Sequence, residues 1–249
     1  TYEWFFKKIP RDLMEVVAVI PARGGSKTMP RKNVVPFLGK PLIYWSIIAA
    51  LRSHQVTRVI VSTDDEEIAQ VAAMHGAEVP FRRPMKLAGD LVVDFPVIQH
   101  ALDVLRETEG YSPDFVVQLR PTSPLRPGGL IDEGISKLRQ CPHADSLRVV
   151  CTPFNNPYKM WRLAGRFMEP LIDSGIPEQV NQPRQTLPQV YWQIGTLDVI
   201  RSSTIINKQS LIGDRVLPMI IDSGLAADID DEKSLAVAED ACRSVGFGE

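Results

Sequence analysis

The sequence predicts an α/β fold with three layers, α/β/α, in which helices cover both faces of a mostly parallel sheet. Continuous apolar and β-branched runs, such as residues 16–20, are typical of parallel strands buried on both faces. These runs alternate with segments of helical periodicity, which favours parallel strands joined by right-handed crossovers. The 249 residues, of which 44% are hydrophobic, are enough for one large packed domain.

The elements of this domain, residues 15–249, follow in order along the chain. Strands are expected at 16–20, 58–62, 114–119 and 144–151, and extended segments at 78–81, 216–222 and 226–230. Helices are expected at 42–51, at 96–106 and at 128–140. Another helix follows Thr63 or Asp64, one of which caps it, and ends at Gly76. A last helix has the apolar face Leu235, Ala238, Cys242 and Val245. The regular rhythm of strand and helix predicts ligand binding at the carboxyl ends of the strands.

Residues 152–189 break this rhythm. The segment is rich in proline, and its short apolar pieces predict a hairpin around residues 163–167 with its turn at Ala164-Gly165. A loop of this length without structure is unusual inside a compact domain. An inserted arm is therefore favoured over a long surface loop.

The bulk properties and the first residues exclude several classes of protein. The net charge of −2 argues against a general nucleic-acid surface. Residues 1–14 contain aromatic side chains but no apolar run long enough for a signal peptide or a membrane span, so we interpret them as an appendage. Three cysteines without metal-ligand spacing indicate free thiols in a reducing cytoplasm.

A basic, glycine-containing loop follows the first strand. Gly24 and Gly25 allow backbone N–H groups to turn toward an anion, and the nearby cations are Arg23, Lys27, Arg31 and Lys32. The pattern lacks the GK[ST] of a Walker loop and is not GxGxxG. The alternative is a solvated turn, but four cations directly after a central strand favour a phosphate site.

A second polar loop follows the strand at 114–119. It carries Arg120, Thr122, Ser123 and Arg126 between prolines that stiffen the backbone and lower the entropy lost on binding. Two arginines and two hydroxyl groups in a stiff loop indicate that this loop binds an anionic substrate, the acceptor of a transferred group.

Two carboxylates near the C-terminus indicate a metal site. On an extended segment residues two apart face the same way, so Asp228 and Asp230 can both bind one ion. Hard oxygen ligands beside a phosphate site suit Mg²⁺. In the alternative, Asp230 or Asp231 caps the final helix. Asp64 and Asp65 are interpreted as cap and first-turn acids of their helix, with a place near the nucleotide as the alternative.

Six segments in this order, IPARGGSK, PRKN, STDDEEIAQVA, RRPMKLAGD, RPTSPLR and ADIDDEKSL, resemble those of the acylneuraminate (CMP-sialic acid) cytidylyltransferases. The resemblance implies the Rossmann-like fold of nucleotide-diphospho-sugar transferases. It also implies CTP and an acidic sugar as substrates, and a homodimer formed through the arm at about 152–189.

The resemblance also assigns roles to residues. Those implied for the nucleotide are Ala22, Arg23, Gly24, Gly25, Ser26, Lys27, Lys32, Asn33 and Arg83. For Arg83 the alternative interpretation is a surface arginine that does not bind the nucleotide. Those implied for the acceptor are Arg120, Thr122, Ser123, Lys159, Arg184 and Gln185. Arg23, Lys32 and Asp230 are the catalytic candidates, with Asp228 and Asp230 holding Mg²⁺.

The sequence departs from the family pattern at four positions. Thr28 stands where relatives tend to have Gly, Arg120 where they have Gln, Ile194 where they have Asn, and Ser234 where they often have Asp. The departures leave the acceptor sugar open. They also leave open another donor such as GTP, a phosphonate-activating enzyme, and a non-catalytic nucleotide-binding subunit.

Overall fold

A computed structural model describes residues 14–244 of the chain. The predicted appendage at residues 1–14, apart from Met14, lies outside the described residues, as does Val245 of the predicted last helix.

Ten strands and six α-helices are found among the described residues. The strands are β1 (Val16–Pro21), β2 (Pro36–Phe37), β3 (Lys40–Pro41), β4 (Arg58–Ser62), β5 (Phe115–Gln118), β6 (Ser146–Cys151), β7 (Trp161–Ala164), β8 (Phe167–Pro170), β9 (Trp192–Arg201) and β10 (Val216–Ile220). The helices are α1 (Leu42–Leu51), α2 (Glu66–Met74), α3 (Asp94–Glu109), α4 (Leu130–Gln140), α5 (Ser202–Lys208) and α6 (Glu232–Ser244).

The main sheet has six strands in the order β10-β6-β9-β5-β1-β4. β1 is parallel to both β4 and β5, and β10 is parallel to β6. The prediction of a mostly parallel sheet is therefore confirmed. The exception is β9, which lies antiparallel between β5 and β6. Neither β9 nor α5 was predicted. In β9, Gly195 and Asp198 interrupt the apolar run that would indicate a strand.

Apolar side chains cover the sheet on both faces. Val16, Ala18 and Ile20 of β1 belong to a core cluster that includes residues of α1, α2 and α4. Val17 and Val19 belong to a second cluster that includes residues of α3 and α5. Alternate residues of one strand thus enter two cores, which is the three-layer arrangement that the continuous apolar run predicts.

Helix α6 packs on a third cluster, which lies beside α1. Ala238 and Cys242 are buried there with Phe37, Leu42 and Trp45. Asp231 begins the helix with a capping box: its carboxylate accepts a hydrogen bond from the Ser234 N–H (2.8 Å), and the Ser234 hydroxyl accepts one from the Asp231 N–H (2.9 Å). This packing brings the C-terminal acidic segment back to the start of the chain.

Several local predictions were wrong. The cap of α2 is Asp65, not Thr63 or Asp64, because Asp65 has extended backbone angles and its side chain accepts a hydrogen bond from the Ile68 N–H (3.0 Å). Residues 226–230 form no strand, because they cross the loop after β5, where the Ile229 N–H donates to the Thr122 carbonyl (2.8 Å). The extended segment at 78–81 is reduced to one bridge between Glu78 and Ile60.

The predicted hairpin is confirmed as β7 and β8, which pair with each other and not with the main sheet. The predicted turn at Ala164-Gly165 was wrong by one residue: Ala164 pairs with Phe167, so the turn is Gly165-Arg166, and Gly165 has φ of +64°. The rest of residues 152–189 consists of short 3-10 turns and loops.

The remaining global features are simple. Cys141, Cys151 and Cys242 are all free thiols. No helix in residues 14–244 combines the length and apolar character that crossing a membrane requires.

Candidate active site

The basic loop after β1 is held to its neighbours through backbone and side-chain hydrogen bonds. The Ala22 N–H donates to the Ser62 carbonyl at the end of β4 (3.0 Å). The Gly24 N–H donates to Asp64 Oδ1 (3.0 Å), and Asn33 Nδ2 donates to the Arg23 carbonyl (2.9 Å). Asp64 is therefore a positioning residue for this loop, and not only a helix acid.

Gly24 approaches α2 so closely that no side chain fits. A methyl group on Gly24 would lie 2.7 Å from Asp65 Oδ2 and 2.8 Å from Asp65 Cβ, whereas one on Gly25 would meet nothing within 4 Å. Asp65 also pairs with Arg31, whose hydrogen bond lowers the pKa of the Asp65 carboxyl group. Arg31, which contacts Glu67 as well, is thus committed to α2.

A cleft of about 240 Å³ opens at the carboxyl ends of β1 and β5. The residues predicted for nucleotide or acceptor that line it are Arg23, Gly25, Ser26, Lys32, Asn33, Arg83, Arg120 and Thr122. Eight residues from four separate stretches of sequence therefore share one cleft. Ala22 and Ser123 are buried behind it.

Asp90 joins two of the loop cations. Its Oδ1 lies 2.7 Å from Arg23 Nη1 and its Oδ2 lies 2.7 Å from Lys27 Nζ. These hydrogen bonds, from Lys27 and then Arg23, hold the pKa of Asp90 below its ordinary value. Asp90 is the last residue of the RRPMKLAGD segment but was not predicted to belong to the site. Nothing in the local sequence indicates which cations a loop acid will meet.

The C-terminal acids meet the basic loop directly. Lys32 Nζ lies 3.0 Å from Asp230 Oδ1, and the Lys32 side chain is only 12% exposed. The Thr28 hydroxyl donates to the Asp230 carbonyl (2.7 Å). Residues about 200 positions apart in sequence are therefore in direct contact beside the cleft, which Lys32 lines.

The two acids offer hard oxygen ligands that fit a divalent cation. Partial burial, and then the neighbouring charge of Asp230, raise the pKa of Asp228. No group of three or more His, Cys, Asp or Glu side chains suited to a metal occurs in residues 14–244. Mg²⁺ is commonly held by one or two carboxylates together with substrate phosphates, so the pair fits Mg²⁺ that enters with a triphosphate. Since Asp231 caps α6, capping does not compete with this role.

Arg83 is buried, with 4% exposure, so the alternative of a surface arginine is wrong. Its Nε donates to Ser62 Oγ (3.1 Å), Nη2 donates to the Ser62 carbonyl, and its N–H donates to the Thr63 carbonyl (2.8 Å). Burial lowers the pKa of Arg83 to about 10. No carboxylate lies within ion-pair distance among the described residues, so its charge remains available to the cleft.

Arg120 belongs to an ionic cluster at the floor of the cleft. Its Nη2 lies 2.6 Å from Asp94 Oδ2 and its Nη1 lies 2.9 Å from Asp198 Oδ2, which also accepts from Arg148 Nη1 (2.7 Å). Asp198 is fully buried. The sequence analysis missed Asp94, Arg148 and Asp198. A signal was available, since a lone acid inside an apolar strand needs a buried partner.

The four departures from the family pattern all have structural partners. Thr28 holds Asp230, Arg120 joins the ionic cluster, and Ser234 completes the capping box of α6. Ile194 is 4% exposed and packs in the main core. Each departure is accommodated without loss of the cleft.

Lys159, Arg184 and Gln185 lie in the segment 152–189, away from the cleft. They line two other pockets, which belong to that segment, and Arg184 Nη2 donates to the Pro153 carbonyl (2.7 Å). Within one chain, the structure does not bring these three residues to the other predicted acceptor residues.

The fold and the site define a three-layer α/β protein with a basic cleft at the carboxyl ends of its strands. Residues 17–156, more than half of the chain, match the family model described as cytidylyltransferase. The chain belongs to this cytidylyltransferase family.

Two curated relatives and one structure illustrate the likeness. Pseudaminic acid cytidylyltransferase of Campylobacter jejuni subsp. jejuni serotype O:2 is 42% identical over 127 residues, covering 51% of this chain and 54% of the relative. N-acylneuraminate cytidylyltransferase of Escherichia coli O18:K1:H7 is 30% identical over 228 residues, covering 90% of this chain and 51% of the relative. The matches thus span about half the length of either relative.

Among solved structures, CMP:2-keto-3-deoxy-manno-octonic acid synthetase complexed with CTP superposes with a TM-score of 0.67. It is 16% identical, and the match covers 93% of this chain and 99% of that chain. This likeness shows a common fold, the nucleotide-diphospho-sugar transferase type that the family resemblance implied.

Proposed function

We propose that this chain is a CTP-dependent cytidylyltransferase that activates a 2-keto-3-deoxy sugar acid of the nonulosonate type to its CMP-sugar. The observation that carries the proposal is the 3.0 Å contact between Lys32 and Asp230. It joins Asp230 of the acidic pair to Lys32 of the basic loop, and Lys32 lines the cleft. The names of the two curated relatives support an acidic nine-carbon sugar as acceptor.

The basic loop would bind the triphosphate. Arg23 and Lys27 would exchange Asp90 for phosphate oxygens, and Lys32 would add a third charge. Because these groups are already held close together, little reorganisation is required when charge develops in the transition state. Asn33 and Arg83 would orient the nucleotide against the floor of the cleft.

In the reaction, the anomeric hydroxyl oxygen of the acceptor forms a bond to the α-phosphorus of CTP. The bond from that phosphorus to the bridging oxygen breaks, pyrophosphate leaves, and the hydroxyl proton passes to water. No residue of the chain becomes covalently attached. Its residues hold the two substrates in line, which itself lowers the barrier.

Asp228 and Asp230 would hold Mg²⁺. When bound, this ion supplies charge neutralisation and lowers the pKa of a coordinated hydroxyl group. Lys32 would keep Asp230 oriented, and the Thr28 hydroxyl fixes the backbone of the same residue.

The acceptor side is proposed to include a second copy of the chain. The hairpin β7–β8 exposes apolar side chains, among them Leu163 at 81% and Phe167 at 68% exposure. An isolated hairpin is marginally stable, and such exposed apolar surface is typical of an interface. A homodimer formed through the arm would let Lys159, Arg184 and Gln185 reach the partner's cleft.

This proposal treats residues 15–249 as one catalytic domain carrying the arm at 152–189, acting in the cytoplasm. The three free thiols support a reducing compartment.

The test is a panel of nucleoside triphosphates and sugar acids, read by release of pyrophosphate with Mg²⁺. We expect release with CTP and one or more of the sialic, legionaminic, pseudaminic, deaminated nonulosonic and octulosonic acids. Preference for GTP would contradict CTP as donor. Nucleotide binding by calorimetry without release from any sugar acid would favour the non-catalytic subunit instead.

A further inference from the structure

A second cavity, of about 480 Å³, lies between α1 and the start of α4 and shares no lining residue with the cleft. Its walls combine aliphatic and aromatic side chains, including Tyr44, Trp45 and Ile48, with three cations, Lys40, Arg52 and Arg126. The cytidylyltransferase reaction proposed above makes no use of this cavity.

None of the three cations has a carboxylate partner within ion-pair distance in the described part of the chain. Lys40 lies 5.7 Å from the centre of the Tyr44 ring. The one acid of the cavity, Asp132, already accepts hydrogen bonds from Ser53 Oγ and from the N–H groups of His54 and Gln55. Among the described residues the cavity thus has three cations against one carboxylate, a net positive charge.

Arg126 makes the imbalance costly, because it is buried, with 5% exposure. It donates only to neutral oxygens: the carbonyls of Thr196 (2.6 Å) and Arg120 (2.7 Å), and Ser46 Oγ (3.0 Å). Burial, and then the charge of Arg120, lower the pKa of Arg126 to about 9. A buried charge without a counterion is unfavourable, and an anion in the cavity would offset that cost.

The first turn of α4 adds donors to the same cavity. Gly128 and Gly129 precede this 11-residue helix, Gly129 has φ of +81°, and no side chain caps the helix. Free N–H groups and the helix dipole at such an end attract anions. Glu133, a first-turn acid, is paired with Lys137 (2.7 Å).

We propose that this cavity, which we call the α1–α4 site, binds a phosphomonoester with an aromatic or apolar group. The phosphate would contact Lys40, Arg52, Arg126 and the start of α4. The organic part would pack on Tyr44, Trp45 and Ile48. A doubly charged phosphate matches a cluster of cations and free N–H groups better than a single carboxylate does.

Occupation of the α1–α4 site would reach the cleft through Arg126. Its Nη2 holds the Arg120 carbonyl, and Arg120 lines the cleft. The segment between these two arginines also carries Thr122. Arg126 is therefore the residue that connects the α1–α4 site to the loop at the floor of the cleft.

The probe is phenyl phosphate, titrated calorimetrically at low ionic strength into the full chain, where charge screening is weakest. We expect one equivalent to bind in a manner that Lys40→Gln combined with Arg52→Gln weakens about tenfold or more, because two charged donors are lost. Arg106→Gln, which removes an exposed cation of α3, is the matched control and leaves binding unchanged. Thermal unfolding of each variant verifies that it remains folded.

Three outcomes would overturn the proposal. Equal affinity of the double variant would show that the cations do not bind the probe. Loss of binding in Lys32→Gln but not in the double variant would place the probe in the cleft. If benzoate bound as tightly as phenyl phosphate, or if inorganic phosphate did, the proposed ligand would be wrong. The first result would contradict recognition of the phosphate group, and the second would contradict packing of the aromatic group on the cavity wall. These readouts need no catalysis, so they stand apart from the test of the cytidylyltransferase reaction.

Discussion

Replacing Gly24 with alanine tests whether the anion loop depends on its close approach to α2. The added methyl group would lie 2.8 Å from Asp65 Cβ, whereas the optimum for two carbon atoms is about 3.5–4.0 Å. Either the loop or Asp65 must therefore move by at least about 0.7 Å. Asp65 cannot move freely, since it caps α2 through the Ile68 N–H and pairs with Arg31.

Two measurable effects follow from this displacement. Overpacking of this kind lowers the free energy of unfolding by about 1–3 kcal/mol. A shift of the loop that carries Arg23 and Lys27 would also reduce kcat/KM, by as much as about 100-fold for a displacement near 1 Å. We would measure the first by denaturant unfolding and the second by pyrophosphate release.

Gly25→Ala is the matched control, because the same methyl group meets nothing within 4 Å at the adjacent position. We expect its unfolding free energy to change little, because the added methyl group meets no protein atom. If Gly24→Ala and Gly25→Ala lowered the free energy of unfolding equally, the reasoning about close approach would be refuted.

Three further predictions concern charge, pH and assembly. Arg23→Ala and Asp230→Asn should each cut turnover by orders of magnitude in steady-state assays, since each removes charge stabilisation from the site. Hydrogen bonds, first from Lys208 and then from backbone N–H groups, lower the pKa of Asp145 from 3.8 to about 2. The stability from Asp145 is thus present above about pH 4 and lost as pH falls toward 2, so Asp145→Asn should flatten the acid limb of unfolding curves. Leu163→Glu should shift sedimentation toward the monomer, because it charges the exposed hairpin.

Each of these has a contradicting outcome. Unimpaired turnover in either charge variant would remove that residue from the mechanism. Asp103→Asn, at an exposed acid of α3, is the control for the pH experiment, and an equal change in its acid limb would refute the role given to Asp145. Unchanged sedimentation of Leu163→Glu would argue against the arm as the interface.

Much of the fold was predictable because its main signals are local. The apolar runs of β1, β4 and β5 and the helical periodicity of α1 and α3 gave the parallel, three-layer core. β9 was not predicted, because its buried Asp198 and its Gly195 are compatible with a strand only in the environment that β5 and β6 provide. The cap of α2 was misplaced by one or two residues, since Thr63, Asp64 and Asp65 are all capable of capping.

The site divides in the same way. The loop of Arg23 to Lys32 and the acids Asp228 and Asp230 could be named from sequence because their residue types and their place after or beside strands already indicate anion and metal chemistry. The pairing of Asp90 with Arg23 and Lys27, and of Asp198 with Arg120, could not be predicted, because the path of the chain in space determines which charges meet.

By itself the sequence determined the layered core, the basic loop, the hairpin and the family to which the chain belongs, since periodicity and short motifs are properties of neighbouring residues. Only the tertiary structure decided that Lys32 meets Asp230, that Arg120 is tied into an ionic cluster, and that Arg126 lies buried without a carboxylate. Those facts depend on contacts between segments far apart in the chain, and electrostatic energy depends on distance and burial, which no linear pattern records.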